Sequence, residues 1–386
     1  MSGIYVHVPF CRTACHYCDF HFSTSLSRVE SYVKALLKEI ELRQESGEWD
    51  GLVFDTLYFG GGTPSVLSSD DLKLIVEGIN RAFRGSSGFS SEFIESTIEV
   101  NPEDVNEESL RGWRAAGFNR LSIGVQSFHD SQLSWMNRKH SGKEAFRAVE
   151  LASRAGFHRI SLDLIYGLPE SDGDWQKTVE MALSLPIDHI SCYALTIEPK
   201  TVLGARIKSG VEIEMPDERL EKDYAIICDE MRKAGFDHYE VSNWAKGVKS
   251  RAVHNSSYWS GAPYLGLGAG AHGFRSNIRY SVISNNPLYI SAIEAKKLPD
   301  TEETLSNKDR CNEVLMTGLR TAKGVDFKAL EKTWGYNPAK LNPKEWKSRI
   351  EAGDIVQTKA GEETAFRIPE NKWLIGDSIA TDFFVT

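Results

Sequence analysis

Between Ile4 and Lys233 short apolar runs alternate six times with stretches of helical periodicity, and this alternation restricts the fold more than any other feature. The predicted strands are Ile4 to Val8, Thr56 to Phe59, Thr97 to Val100, Arg120 to Val125, Arg159 to Ile165 and His189 to Leu195. The helices between and after them are Arg28 to Gln44, Asp70 to Phe83, Glu107 to Ala116, Lys143 to Ala155, Trp175 to Ser184 and Glu218 to Lys233. In the first helix Val29, Tyr32, Val33, Leu36, Leu37 and Ile40 fall on one face. Strand and helix in strict alternation imply a parallel sheet with right-handed crossovers. Six units fall short of an eight-fold closure, so the expected class is α/β, an open, partial (βα)6 TIM-like barrel rather than a flat doubly wound sheet.

The unusual residues support a barrel, because barrel chemistry is built from the loops after the carboxyl ends of the strands. A cysteine loop follows the first strand, Gly60-Gly61-Gly62-Thr63-Pro64 the second and Asn101-Pro102 the third. Gln126 and Ser127 follow the fourth, Gly167 to Glu170 the fifth, and Thr196 and Glu198 the sixth. All would lie on one rim. The expected domains are a partial barrel over 1–237, a connecting region over 238–306 rich in Gly, Asn, Trp and Tyr, and a small, mainly helical C-terminal domain over 307–386. A hairpin is expected there near Ile355 to Ile368.

The cysteine loop, CRTACHYC, sets Cys11, Cys15 and Cys18 three and then two residues apart with no fourth cysteine close by. That suits an iron–sulfur cluster with one metal corner free. A structural zinc site completed by His7, His16 or His21 is the alternative. The other three cysteines, Cys192, Cys228 and Cys311, are isolated and are expected to be buried small hydrophobes in a reducing compartment.

With 45 basic and 54 acidic residues the net charge is −9, which argues against a nonspecific grip on nucleic acid or anionic lipid. No apolar run approaches the about eighteen residues of a membrane span, and the start of the chain lacks a secretion signal. A cytoplasmic protein is expected.

A glycine triplet after a strand lets backbone approach a ligand closely, though such turns also occur without one. Glu99 and Asp163 sit at otherwise apolar strand ends, where a carboxylate is costly unless it is paired or binds something. Arg138 offers a fork for a carboxylate, or a plain surface charge.

CxxxCxxC after a strand, then GGGTP, EVNPE, IGVQSF and DLIYGLP in this order, resembles the radical S-adenosylmethionine (SAM) superfamily, and within it the HemN/HemW branch. The resemblance covers nearly the whole chain, including a small C-terminal domain beginning near EVLMTGLRTAKGVD. It implies a four-iron four-sulfur (4Fe-4S) cluster on Cys11, Cys15 and Cys18, whose free iron chelates SAM. It further implies SAM contacts at Tyr5, Tyr17, Gly62, Thr63, Glu99, Gln126, Arg138, Asp163 and Ala194.

The branch holds two activities, coproporphyrinogen III dehydrogenation and heme delivery. The dehydrogenase pattern continues CxxCxC, whereas here Asp19 and Phe20 follow Cys18, and only ten residues precede Cys11 where the dehydrogenase has an extension. His254 to Trp259, HNSSYW, resembles the HNxxYW pattern linked to heme in the chaperone. Read as residues alone, His254 is a hydrogen-bonded loop histidine, with Tyr258 and Trp259 plugging an interface. The resemblance makes His254, Tyr258 and Trp259 heme contacts. It thus implies a chaperone that binds cluster, SAM and heme and delivers heme to respiratory proteins at the cytoplasmic membrane face, with an electron donor as further partner. The alternative is an oxygen-independent coproporphyrinogen III dehydrogenase. An RNA-modifying radical SAM enzyme is disfavoured by the acidic charge.

Overall fold

A computed structural model describes residues 1–83, 93–169, 173–360 and 363–385. The barrel is built from β1 (Ser2–Val8), α1 (Val29–Glu45), β2 (Phe54–Gly61), α2 (Ser69–Phe83), β3 (Glu95–Val100) and α3 (Glu107–Ala115). It continues through β4 (Arg120–Gln126), α4 (Asp130–Trp135), α5 (Gly142–Arg154), β5 (Arg159–Tyr166), α6 (Asp174–Leu183), β6 (His189–Ala194), α7 (Val202–Lys208) and α8 (Asp217–Lys233). β1 to β6 are parallel neighbours in sequence order. A doubly wound sheet reverses its order at a switch point. Here every crossover steps the same way, which is the partial barrel expected.

Each barrel strand divides its residues between two faces with the period of two that a pleated strand imposes. Outward-facing Val6, Phe59, Ile98, Ile123, Leu162 and Ile190 are buried beneath the helices in one apolar cluster. Completely burying one such aliphatic or aromatic side chain contributes about 1.5–3 kcal/mol. The helices carry matching faces, as with Leu72, Ile75 and Ile79 of α2, all without exposure. α5 starts at a capping box, in which Ser141 and Glu144 each satisfy the other's backbone N–H.

The inward face is polar. Tyr58 donates to Glu99, Ser122 to Asp163, and Arg120 lies 3.3 Å from His189 Nδ1. Ordinary barrel interiors are filled by branched apolar side chains, so this one needs another filling. The stretch expected to be a connection provides it. After β7 (Asp237–Glu240) and β8 (Asn243–Ala245), α9 (Val253–Trp259) enters the barrel at the amino ends of the strands. The fully buried Glu95, at the start of β3, accepts the Val253 and His254 backbone N–H groups at 2.8 Å and pairs with Arg159 at 2.8 Å. Burial pushes this carboxyl up, but Arg120 and Arg159 outweigh it and hold Glu95 below its usual range.

The same stretch enlarges the sheet. β9 (Tyr264–Leu267) pairs in parallel with β1, and β10 (His272–Arg275), β11 (Ile278–Val282) and β12 (Asp300–Thr304) follow outward, with α10 (Asn286–Glu294) between the last two. On the far edge β8 pairs antiparallel with β6, giving twelve strands. The remaining chain holds α11 (Asn307–Gly318), α12 (Phe327–Trp334), α13 (Pro338–Leu341), α14 (Pro343–Glu351), the hairpin β13 (Val356–Ala360) with β14 (Glu363–Arg367), and α15 (Gly376–Thr381). The hairpin falls where the sequence placed it. Among the described residues no helix is long and apolar enough to cross a membrane.

Candidate functional site

A cavity of about 470 Å³ opens at the carboxyl ends of the barrel strands. Its wall includes Cys11, Cys15, Tyr17 and Cys18 from the β1 loop, Gly62 and Thr63 after β2, and Glu99 of β3. Gln126, Arg138, Asp163 and Ala194 come from the other units, and Asn101, Thr196 and Glu198 join them.

The cysteine loop is strapped in place rather than left free. Asn137 donates to the Ala14 carbonyl at 2.8 Å, and the His16 and Leu203 backbone N–H groups bond to Met136 and His16 carbonyls at 3.1 and 2.8 Å. Thr63 Oγ1 donates to Cys11 Sγ at 3.4 Å, and Arg138 Nη1 to Cys15 Sγ at 3.7 Å. Burial pushes the Cys11 thiol up to about 11 and the Cys18 thiol up to about 12. Thiols of that kind ionise when a metal replaces their protons.

Three cysteines around one cavity, two of them already meeting hydrogen-bond donors, fit a cluster better than a single ion. Among the described residues these cysteines belong to no group whose three ligating atoms lie within 4.8 Å of one another. A tetrahedral zinc with bonds of about 2.3 Å needs its sulfurs closer than that. The proposed fourth ligands are also engaged: His7 with Tyr5 and the His21 carbonyl, His16 with the Trp135 carbonyl, His21 with Asn286.

The rest of the wall is fitted to a small polar ligand. At Gly62 a Cβ would stand 2.6 Å from the Phe10 carbonyl oxygen, so only glycine lets the β2 loop lie this close to the cysteine loop. Gln126 sits at φ +66, in the left-handed region, where the β4–β5 register slips and turns its side chain into the cavity. Arg138 is held by Asn101 Oδ1 at 2.7 Å and the Gly124 carbonyl at 2.6 Å, and its buried Nε has no partner. It is a fixed cationic donor, not a surface charge. Burial, with Asp163 adding to it, raises Glu99 to about 7 even though Tyr58 donates to it at 2.7 Å. Burial likewise raises Asp163 to about 6.

Those raised carboxyls have a measurable consequence in metal-free, SAM-free protein. Between the ordinary carboxyl range and about 7 the native state holds a proton on Glu99 that the unfolded chain has lost, so stability falls as pH rises across that window. Denaturant unfolding from pH 5 to 8 is expected to show this decline, and Glu99→Gln, which carries no charge to bury, is expected to flatten it. An unchanged slope in the variant would refute the assignment.

The structure does not bring all the expected residues to one place. Tyr5 lies behind the cavity wall, with its hydroxyl on His7 at 3.2 Å and its ring stacked on Tyr58. Ser127 turns away to Gln132, and Glu170 lies outside the described residues. His254 is fully buried on α9: one ring nitrogen meets Thr56 Oγ1 at 2.8 Å, the other Tyr258 Oη at 2.7 Å, and the ring stacks on Tyr58 at 5.1 Å. Trp259 lies beyond it against Arg320. Asn255, next to His254, does line the cavity, so the two expected sites are joined through one turn of helix. The sequence reading missed Tyr58, Ser122, Ser191 and Asn255 as cavity residues. For the first three the signal was present as polar residues alternating with apolar ones along β2, β4 and β6.

Barrel, cysteine loop and cavity together define a radical SAM protein, and the Radical SAM superfamily profile matches residues 5–182. The chain is 36% identical over 385 residues to the heme chaperone HemW of Bacillus subtilis, covering 98% of each chain, and 35% identical to HemW of Lactococcus lactis, covering 84% of this chain and 83% of the relative. It belongs to the HemW family. In fold it is similar to the Escherichia coli coproporphyrinogen III oxidase HemN, with a TM-score of 0.81 at 21% identity over 100% of this chain and 90% of that one.

Proposed function

We propose that this protein is a radical SAM heme chaperone that takes up heme in the cytoplasm and passes it to respiratory proteins. The observation that carries the reading is the identity to HemW along the whole chain. Asp19 and Phe20 after Cys18, in place of a further cysteine, point away from porphyrinogen oxidation. In this reading 1–237 is the cofactor-holding barrel, 238–306 the heme-binding segment and 307–386 the appended C-terminal domain.

Cys11, Cys15 and Cys18 would hold a 4Fe-4S cluster, and the cavity beside them would take SAM. When bound, the pair supplies a strong one-electron reductant and a source of the 5′-deoxyadenosyl radical. The protein contributes position and charge. Arg138 offers its unpartnered donor and positive charge next to Cys15. Glu99 and Asp163 provide acceptors for amino and hydroxyl groups, Gly62 allows close approach, and Tyr17 and Ala194 complete the wall. An electron donor must reach the cluster side.

Heme would engage His254, Tyr258 and Trp259. Because His254 has both ring nitrogens occupied, ligation through its outer nitrogen requires the Tyr258 hydrogen bond to open. No membrane span is needed to reach acceptors at the membrane face.

Anaerobically reconstituted protein titrated with hemin is expected to give a saturable Soret shift, weakened in His254→Ala, with unfolding followed in parallel because His254 is buried. Binding unchanged in His254→Ala would remove that residue from the heme site, and no shift in the parent would overturn the reading. The second reading, suggested by the HemN fold, is a coproporphyrinogen III dehydrogenase. Incubation with SAM, a reductant and coproporphyrinogen III is expected to return the substrate unchanged, and protoporphyrinogen would reverse the choice.

A further inference from the structure

Cys228 does not stay isolated in the fold. It lies near the end of α8, where β7 brings His238 and the turn Glu370–Ile375 brings Glu370. One ligating atom from each of these three residues lies within 4.8 Å of the other two. His238 Nδ1 is 2.8 Å from Glu370 Oε1 and 3.9 Å from Cys228 Sγ. Around a tetrahedral zinc, with bonds of about 2.0–2.3 Å, neighbouring ligand atoms stand roughly 3.3–3.8 Å apart. The two His238 distances bracket that spacing.

The imidazole is held for this task. It stacks on Trp244 with ring centroids 4.0 Å apart and takes the edge of Trp373 at 4.5 Å, so it cannot turn away. Its Nε2 is 3.4 Å from the Val241 carbonyl. With Nε2–H directed at that oxygen, Nδ1 presents its lone pair to the carboxylate and the thiol. A backbone carbonyl on the far nitrogen is how metal-binding histidines are commonly oriented. In the other tautomer Nδ1–H donates to Glu370, and a bound ion would take the place of that proton. The Cys228 thiol, hydrogen-bonded to Glu370, adds a third and softer donor that suits an ion of the zinc type.

Room is also present. Cys228 and Glu370 border a cavity of about 470 Å³, separate from the rim, from which water could reach a fourth position. Arg232 approaches Glu370 at 3.4 Å, but its side chain is 62% exposed, and such a surface contact yields at little cost.

We propose that Cys228, His238 and Glu370 bind one divalent ion of the zinc type, with water as fourth ligand. Binding releases the Cys228 thiol proton to solvent. The ion ties α8 and β7 of the barrel side to the C-terminal turn, reinforcing a link that otherwise rests on the His238–Glu370 and Arg232–Glu370 contacts and the packing of Trp373. This site is independent of the heme-chaperone reading.

The test uses full-length protein reconstituted with its cluster, equilibrated with zinc chloride and desalted. Zinc, iron and sulfide per chain are then measured, with zinc-edge X-ray absorption. The expected result is about one zinc per chain with a single sulfur neighbour. Loss of one ligand weakens retention on the order of tenfold or more, so Cys228→Ser and Glu370→Gln should lose zinc while keeping the parent's iron and sulfide. Glu370 is partly exposed, so its variant should fold, and zinc should raise the melting temperature of the parent but not of Glu370→Gln. The proposal is overturned if the parent keeps no zinc or both variants keep as much as the parent. It is equally overturned if the bound zinc shows several sulfur neighbours, the signature of Cys11, Cys15 and Cys18.

Discussion

Cys15→Ser is expected to abolish cluster assembly. Cys15 sits in the middle of the strapped loop, and its sulfur is the one nearest the Arg138 guanidinium, at 3.7 Å. A serine hydroxyl is a poor replacement for thiolate toward iron, and two cysteines cannot hold a cluster that presents three bonded corners. After anaerobic reconstitution, iron and sulfide should fall to a small fraction of the parent's. The loop itself should stay in place, because its straps are backbone and amide contacts from Asn137, Met136 and Leu203. Far-ultraviolet dichroism is therefore expected to match the parent. Cys228→Ser is the control that should leave iron unchanged. Parent-like iron content in Cys15→Ser would refute the assignment of this loop.

Glu95→Ala should be the most destabilising single change at the closed end of the barrel. The Glu95 carboxylate faces Arg159 at 2.8 Å and anchors the first two backbone N–H groups of α9. Its removal leaves the fully buried Arg120 and the partly buried Arg159 without their shared counter-charge and two helix donors unmet. Breaking a buried pair from one side costs about 3–5 kcal/mol. Because the carboxyl is held below its ordinary range, this contribution is fully present above the unfolded carboxyl range and is lost as pH falls through the native value. Denaturant unfolding of metal-free protein at pH 7 and at pH 4 is the check: a large loss at pH 7 that shrinks at pH 4. A loss under about 1 kcal/mol at pH 7 would mean that Glu95 does not anchor α9. Since α9 carries His254, the same variant should also disturb heme binding, which links the closed end of the barrel to the proposed heme segment.

How far these features could be read in advance depended on their sequence range. The six βα units and their rim loops were legible, because helix and strand periodicities are local and barrel geometry sends every strand-end loop to one side. Glu99 and Asp163 stood out for a physical reason: each is a carboxylate at an otherwise apolar strand end, and each is half-buried in the cavity wall with its pKa raised. The fate of 238–306 was not legible. Its strands are four or five residues or fewer, and β9 finds its partner β1 across almost the whole barrel sequence. Nor does anything in HNSSYW state that the helix enters the barrel. Yet the residue-only reading of His254 as a satisfied, hydrogen-bonded histidine describes its surroundings, except that it lies on a helix. Cys228 is buried as expected, but its neighbours His238 and Glu370 come from a strand and a C-terminal turn that no local pattern connects.

Heme delivery is tested most directly by following heme itself. Cluster-reconstituted protein loaded with one heme is mixed anaerobically with membrane vesicles carrying a heme-depleted respiratory cytochrome, and the absorption spectra of protein and vesicles are recorded after separation. The account predicts that the Soret band of the soluble protein declines while the reduced-minus-oxidised bands of the cytochrome appear in the vesicles. Heme that stays with the soluble protein, with the vesicle cytochrome still empty, would contradict it.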